Sequence, residues 1–248
     1  MSGTRTARTR LPTCQLAAAT ILLSLAVAPA HAHSLMDVEN DLYAREQYFQ
    51  PVDLEAPPFA LENAAGQAVS LADYRGKVVV LNFIYASCGD VCPMHSVLIA
   101  QLQEMINQTP MKERVAFLSI TTDPAHDTGP MLTEYGAARG LDPVNWTFLT
   151  SSASQREDTT RAIAKSYGLE FTQTDDGDQM HGAVTNVIDR DGRLRGRFHG
   201  LNFEPVNVVT FVNALVKDYH KPGEEHDQPT GFWSWFASLF GLQGAQQQ

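Results

Sequence analysis

The sequence predicts an α/β domain of three layers, in which helices flank a central mixed β-sheet. Apolar, β-branched runs at residues 77–85 and 115–121 are typical of strands buried on both faces of a sheet. Helical patterns separate these runs, as in the crossover connections between parallel strands. The folded part then closes with a hairpin around Asp191-Gly192 and an amphipathic helix. Because a hairpin adds antiparallel strands, the sheet is predicted to be mixed.

The first half of the domain has three predicted elements. A short hairpin is indicated by the apolar runs at residues 59–61 and 69–71, with its turn at Gly66. The buried strand at 77–85 follows. Residues 93–107 are then predicted to be a helix, because apolar side chains recur at helical spacing. Its predicted apolar side consists of Val97, Leu98, Leu102, Met105 and Ile106.

The second half continues the alternation of strands and helices after the strand at 115–121. A helix is predicted to begin at Thr128 and to end near Gly140. A third strand follows at 146–149, and Ser154 with Glu157 predicts a capping box at the start of another helix. The closing hairpin and the last helix are carried by residues 184–188, 194–198 and 208–219.

The chain is predicted to have a five-part organisation. The parts are a secretory signal peptide at 1–32, a loosely held arm at 33–56, the folded domain at 57–220, a charged linker at 221–230 and an aromatic tail at 231–248.

The signal peptide is predicted from its charge and its small residues. Arg5, Arg8 and Arg10 precede an apolar run at 16–28, and small residues suited to cleavage follow at 28–32. The alternative is an uncleaved anchor, but the run is shorter than the roughly 20 residues that a bilayer core requires. We therefore expect export to the periplasm, and association with the inner membrane stays open.

The composition excludes one class of partner. The chain has 248 residues and a formal net charge of -10, from 28 acidic and 18 basic side chains. A nucleic-acid-binding protein presents a basic face to the phosphates. The acidic balance therefore argues against binding to nucleic acid.

Two cysteines, Cys88 and Cys92, remain once the predicted signal peptide is removed. A disulfide across so small a loop stabilises little, so we expect the pair to serve chemistry. The pair lies between a buried strand and a helix, and a helix N-terminus is predicted to lower thiol pKa values below about 8.5. Closely spaced thiolates suit either reversible disulfide exchange or binding of a soft metal. Three residues separate the cysteines, which argues mildly for metal.

A histidine would decide which metal fits. Two thiolates alone suit linear Cu(I), and an added imidazole gives a three-coordinate site that suits Cu(I) or Cu(II). Structural zinc would need a fourth ligand. His181, in a predicted polar loop before the strand at 184–188, is the best placed of the 8 histidines. His126 and His199 are weaker candidates.

Taken together, several motifs resemble the Sco/SenC family of copper-delivery proteins over residues 57–219. The motifs are Cys88-Gly-Asp-Val-Cys92-Pro93 after KVVVLNFIY, Thr122-Asp123-Pro124-Ala-His-Asp127-Thr128, His181 before a strand, and Asp189-Arg-Asp-Gly192. The resemblance implies a thioredoxin-like fold and a copper site formed by Cys88, Cys92 and His181. It also implies a role in maturing the copper centre of cytochrome c oxidase or a related respiratory enzyme. Asp123 matches the family's Asp-Pro motif, either as an orienting group near the site or as a turn residue.

The chain departs from the family pattern beside two of the expected ligands. Met180 and Gly182 flank His181, and Met94 and His95 follow Cys92-Pro93. These side chains offer soft or borderline donors, although a helix methionine is more often core and a helix histidine more often solvated. Whether Met94, His95, Met180 or Asp123 joins the site stays open.

The C-terminal tail carries aromatic residues at helical spacing. Trp and Phe favour the membrane interface, so Phe232, Trp233, Trp235 and Phe236 predict a peripheral contact with the membrane or with an oxidase subunit. The alternative is that the tail packs on its own domain.

The favoured function is that of an exported copper chaperone whose partner is a copper-receiving oxidase subunit or another copper protein. The alternative is a periplasmic thiol-disulfide oxidoreductase that reduces partner cysteines; in either case a thiol-disulfide reductant would keep the pair reduced. A thiol peroxidase is weaker still, because the Thr-x-x-Cys arrangement of such enzymes is missing before Cys88.

Overall fold

The computed structural model describes residues 35–89, 91–174 and 177–217, with the backbone alone for 173–174 and 177–181. The predicted signal peptide, linker and aromatic tail lie outside the described residues. Within the described ranges, no helix combines the length and the hydrophobicity that a membrane span requires.

The described chain alternates strands and helices in the predicted manner. The strands are β1 Phe49–Glu55, β2 Ala60–Asn63, β3 Ala68–Ser70, β4 Val78–Ile84, β5 Val115–Thr121, β6 Trp146–Thr150, β7 Glu170–Thr174, β8 Gly177–His181, β9 Val184–Ile188 and β10 Arg193–His199. The helices are α1 Leu35–Arg45, α2 Val91–Asn107, α3 Gly129–Ala137, α4 Thr159–Ser166 and α5 Pro205–Lys217.

Eight of these strands form one mixed sheet in the order β1-β10-β9-β4-β5-β6-β2-β3. The β4–β5 and β5–β6 pairs are parallel, and the other pairs are antiparallel. All seven residues of β4 and of β5 are buried, as expected for central strands. β7 and β8 form a separate two-stranded hairpin. The predicted mixed sheet is confirmed.

Helices cover both faces of the large sheet. His95 of α2 contacts Thr185 of β9, and Tyr167, which follows α4, packs against Phe83 of β4. The antiparallel register of β4 and β9 puts Thr185 and Phe83 on opposite faces. The predicted three-layer architecture is therefore confirmed.

The segment expected to be a loosely held arm is instead part of the core. It contains α1 and β1, and it buries Leu42 and Phe49. Glu46 is 4% exposed, and its carboxylate accepts hydrogen bonds from the Glu204 backbone N–H at 3.0 Å and from Asn207 Nδ2 at 2.8 Å. In the sequence Glu46 counts as a polar, surface-type residue. In the structure its hydrogen bonds to the start of α5 allow it to be buried, so the polar composition of the segment misled the prediction.

The predicted capping box does not form. Helix α4 begins later, at Thr159, with Asp158 as its N-cap residue. Ser154 bonds the Ser152 hydroxyl, and the Gln155 side chain bonds the Ala60 carbonyl oxygen of β2. These contacts differ from the hydrogen bonds that a helix beginning at Ser154 would make.

Removing the Glu46 carboxylate should test how firmly the N-terminal segment is attached. We expect Glu46→Ala to lower the free energy of unfolding by about 2–3 kcal/mol, because two donors at the start of α5 lose a charged acceptor. Urea unfolding followed by circular dichroism measures the change. Glu113→Ala, at an exposed position, is the control and should shift stability by less than about 0.5 kcal/mol. Equal effects of the two variants would contradict the anchoring role.

Candidate metal centre

The two cysteines lie together where β4 passes into α2. Cys88 precedes α2 and Cys92 is the second residue of that helix; both are in the thiol form and are only 6% and 1% exposed. The Cys92 backbone N–H donates to Cys88 Sγ at 3.3 Å. The two side chains are also hydrogen-bonded to each other, and the Tyr85 backbone N–H donates to the Cys92 sulfur. The passage from β4 into α2 therefore brings the two thiols together.

Burial reverses the pKa shift that the sequence predicts for Cys92. Loss of water raises the pKa of the Cys92 thiol well above its ordinary range, and the hydrogen bond with Cys88 raises it further. The Cys92 backbone N–H at the start of α2 points to the sulfur of Cys88 rather than to its own side chain. Desolvation therefore outweighs the helix N-terminus at Cys92, and its thiol is protonated at neutral pH.

Tyr85 is a site residue that the sequence analysis missed. Its side chain is half-buried and hydrogen-bonded to the Cys88 side chain. Burial, followed by this hydrogen bond, raises the pKa of Tyr85 to about 12, so the phenol keeps its proton. A phenol O–H can donate to sulfur, and Cys88 Sγ thus receives hydrogen bonds from both Tyr85 and the Cys92 backbone.

A buried carboxylate holds the loop that carries Cys88, and it belongs to Asp127 rather than to Asp123. Asp127 is 2% exposed; it accepts a hydrogen bond from the Ala86 backbone N–H at 3.0 Å and another from the Thr121 hydroxyl. Burial raises the pKa of Asp127. Asp123 forms the turn of the loop after β5, which also carries Asp127, and its carbonyl oxygen accepts from the Asp127 backbone N–H at 2.9 Å. The backbone contact supports the turn role considered for Asp123, and its carboxylate accepts a hydrogen bond from His126 Nδ1 at 2.9 Å.

His181 lies at the end of a strand rather than in the predicted loop. It is the last residue of β8, opposite Glu170 of β7. Gly182, with a φ of 79°, then turns the chain toward β9. Because β9 runs antiparallel to β4, its start lies at the sheet edge where β4 ends and the cysteine loop begins. The backbone therefore brings His181 to the edge that carries the cysteines, and the role of its imidazole stays a prediction.

The two residues after Cys92-Pro93 have environments opposite to those usual for their types. Met94 is 53% exposed, whereas His95 is 1% exposed with Nε2 2.8 Å from Thr185 Oγ1. Burial lowers the pKa of His95 to about 4, so the ring is neutral. Val97, placed on the apolar side of the predicted helix, is also exposed. The hydrogen bond of His95 ties the helix of Cys92 to the strand that follows His181.

The donor set fits a soft, monovalent metal ion. Two desolvated sulfurs in mutual contact suit Cu(I), which prefers thiolates and accepts low coordination numbers. Among the side chains that the structure describes, no group of three His, Cys, Asp or Glu residues converges to hold a metal. The side chain of His181 is not among those described, and its place as a third ligand stays a prediction.

A mixed sheet whose central strand leads into a helix through a cysteine pair defines a thioredoxin-like thiol protein. The family model SCO1/SenC matches residues 49–217. Since this is more than half of the sequence, the chain belongs to the SCO1/SenC family.

Three comparisons show how the chain relates to known members. The SCO1 protein homolog of Bacillus subtilis (strain 168) is 28% identical over 165 residues, which are 66% of this chain and 83% of that protein. The structure of BsSco, a member of the Sco family of cytochrome c oxidase assembly proteins with a disulfide switch, superposes with a TM-score of 0.59 at 24% identity, covering 68% of this chain and 96% of that one. Arabidopsis thaliana ScoI with copper bound gives 0.56 at 22% identity, covering 66% and 99%. The thioredoxin-like fold is thereby confirmed.

The buried histidine should make stability depend on pH. The pKa of His95 is about 4 in the folded chain and about 6.5 in an unfolded one. Between these values the unfolded chain binds more protons, so stability rises with pH. We expect the free energy of unfolding to lose about 3 kcal/mol through this group as the pH falls from 7 to 4. Urea unfolding at a series of pH values measures it.

His95→Gln should lack this part of the pH dependence. Thr185→Val is the matched control, because it removes the partner of His95 but keeps the titrating ring. That variant should be less stable at every pH with the slope retained. Parallel pH curves for the wild type and His95→Gln would contradict the role given to His95.

Proposed function

We propose that this protein is an exported copper chaperone. It holds copper on Cys88, Cys92 and His181 and delivers the ion to the copper-receiving subunit of cytochrome c oxidase or to another copper protein. The observation that carries the proposal is the pair of buried thiols, hydrogen-bonded to each other at the start of α2, in a SCO1/SenC chain. The relatives named for copper binding and for oxidase assembly support it.

Loading exchanges two protons for one cation. Cu(I) bonds to both sulfurs, and each S–H bond releases its proton to solvent, so the occupied pair carries one net negative charge. The hydrogen bond from the Cys92 backbone and that from Tyr85 stabilise negative charge on the Cys88 sulfur. The imidazole of His181 would supply a neutral third ligand.

Burial and reduction together control the site. Cys88 and Cys92 are nearly inaccessible to solvent, which protects the bound ion from competing ligands. Delivery then proceeds by ligand exchange with a thiolate or imidazole of the partner. Oxidation joins the two sulfurs and removes both ligands, so a thiol-disulfide reductant is required to keep the pair ready for copper.

The location of the domain follows from the two chain ends. The signal peptide at 1–32 would bring the domain to the periplasm. The aromatic residues Phe232, Trp233, Trp235 and Phe236 would add a peripheral contact with the inner membrane or with the oxidase.

A second function is favoured by the hydrogen bond between the two thiols. Side chains in such contact can form a disulfide with little movement, which suits a thiol-disulfide oxidoreductase that reduces partner cysteines. In that case His181 has no part in the chemistry.

Copper titration separates the two functions. We expect the reduced wild type to bind one Cu(I) tightly in competition with a chelator, and Cys88→Ser or Cys92→Ser to abolish tight binding. His181→Ala should weaken binding by at least the roughly 10- to 100-fold that losing a supporting partner costs. His199→Ala is the matched control, because His199 Nε2 is already bonded to Gln50 Oε1 at 2.8 Å, and it should bind as the wild type does.

A different pattern would favour the oxidoreductase. Binding that is weak or indifferent to His181, combined with reduction of a disulfide substrate that depends on both cysteines, would overturn the copper chaperone.

A further inference from the structure

The loop between β5 and α3 lies directly against the start of the cysteine loop. The Thr122 backbone N–H donates to the Ile84 carbonyl oxygen at 2.8 Å, and the Asp127 carboxylate accepts from the Ala86 backbone N–H at 3.0 Å. Ala86 is two residues before Cys88. The side chains of this loop therefore stand at the same sheet edge as the thiol pair.

His126 is the exposed nitrogen donor of this loop. Its side chain is 78% exposed, and Nδ1 lies 2.9 Å and 3.0 Å from the two carboxylate oxygens of Asp123. A carboxylate only accepts hydrogen bonds, so Nδ1 carries the hydrogen and the lone pair of the neutral ring is on Nε2. Histidines that bind metals are usually held in this way, by a carboxylate on the other ring nitrogen.

The thiols themselves are poorly placed to receive an ion from solution. Cys88 and Cys92 are 6% and 1% exposed, whereas copper arrives on a donor that is far larger than a water molecule. In ligand exchange, an incoming ligand binds before the last outgoing ligand leaves. A copper ion bound for buried sulfurs therefore needs a ligand on the solvent side of them.

Tyr85 lies between the thiol pair and the loop that carries His126. Its side chain is hydrogen-bonded to Cys88, and the charge of Asp123 acts on it. Tyr85 also lies in the chain between Ile84, whose carbonyl oxygen accepts from the Thr122 backbone N–H, and Ala86, whose backbone N–H donates to Asp127. The loop that carries His126 therefore meets the cysteine loop at the residue whose side chain contacts the first sulfur.

We propose that His126, held by Asp123, is an accessory copper ligand at the entrance to the thiol pair, which takes the ion from its donor and passes it to Cys88. The inference rests on the proposed function and adds a residue to it. Each step exchanges one ligand for another. First the Nε2 lone pair bonds to copper and a ligand of the donor leaves. Then the Cys88 sulfur replaces Nε2, and the proton of the Cys88 thiol passes to solvent. The copper ion keeps its oxidation state throughout.

A ligand at the entrance changes the rates of copper uptake and release but does not change the copper affinity of the thiol pair. In the protein purified after export and fully reduced, we expect His126→Asn to slow copper uptake from a Cu(I)–chelator complex on the order of tenfold. Removal of copper by excess free chelator should slow by the same factor, so the affinity measured by competition stays within about twofold of the wild type. Asp123→Asn, which keeps the side-chain size but loses the charged acceptor, should have an intermediate effect.

Met94→Leu is the matched comparison. Met94 is the exposed soft donor on α2, and it offers the competing entrance. Its replacement should leave both rates unchanged. If Met94→Leu slows both rates and His126→Asn slows neither, the entrance is on α2 and the inference is overturned.

Direct binding gives a second readout that does not depend on transfer. In the Cys88→Ser/Cys92→Ser double variant, Cu(I) should shift the NMR signals of the His126 ring, and this shift should need more Cu(I) with Asp123→Asn. Unchanged ring signals together with unchanged rates would overturn the inference while leaving the proposed function intact. A wild type that binds no Cu(I) tightly would instead overturn the proposed function, and the two failures are therefore distinguishable.

Discussion

Strands β4 and β5 pair in parallel along their whole length, from Val78 opposite Val115 to Ile84 opposite Thr121. Because parallel strands that pair in this register end at the same edge, the loops that follow them are brought together. One loop carries the cysteines, and the other carries Asp127, which bonds to Ala86 and Thr121. The site depends on this pairing more than on any single ligand, since a shift of register would separate the carboxylate from the loop that it holds.

Two opposing electrostatic effects meet at the thiol pair. The start of α2 favours negative charge, while burial disfavours it, and for Cys92 burial is the larger effect. The Cys92 thiol is therefore kept neutral, and a bound cation would offset the cost of a thiolate in that position. The hydrogen bonds from Tyr85 and from the Cys92 backbone converge on the Cys88 sulfur, so the two sulfurs are not equivalent.

Much of this fold was predictable because it follows from patterns within short segments. The buried runs of β4 and β5, the helix after the cysteines and the closing hairpin are confirmed. The N-terminal segment was not predictable, because Glu46 reads as a surface residue until its partners near Glu204 and Asn207 are known. The same reason applies to Tyr85 and Asp127. Their roles arise from contacts between segments far apart in sequence, and only the strand register reveals such contacts.

The contrast between His95 and His126 shows what a sequence conceals about a histidine. His95 follows the cysteine motif and His126 lies within the motif at 122–128, yet His95 is buried against Thr185 and neutral, whereas His126 is exposed and held by Asp123. The His95 ring connects α2 to β9 through its hydrogen bond to Thr185, and its Nε2 is therefore inaccessible to a metal ion. The second ring is exposed and is bonded to Asp123 through Nδ1, so Nε2 is the nitrogen that could bind a metal. Burial that would protect copper on the thiols would also slow its exchange, and the proposed outer ligand would relieve this conflict without weakening the inner site.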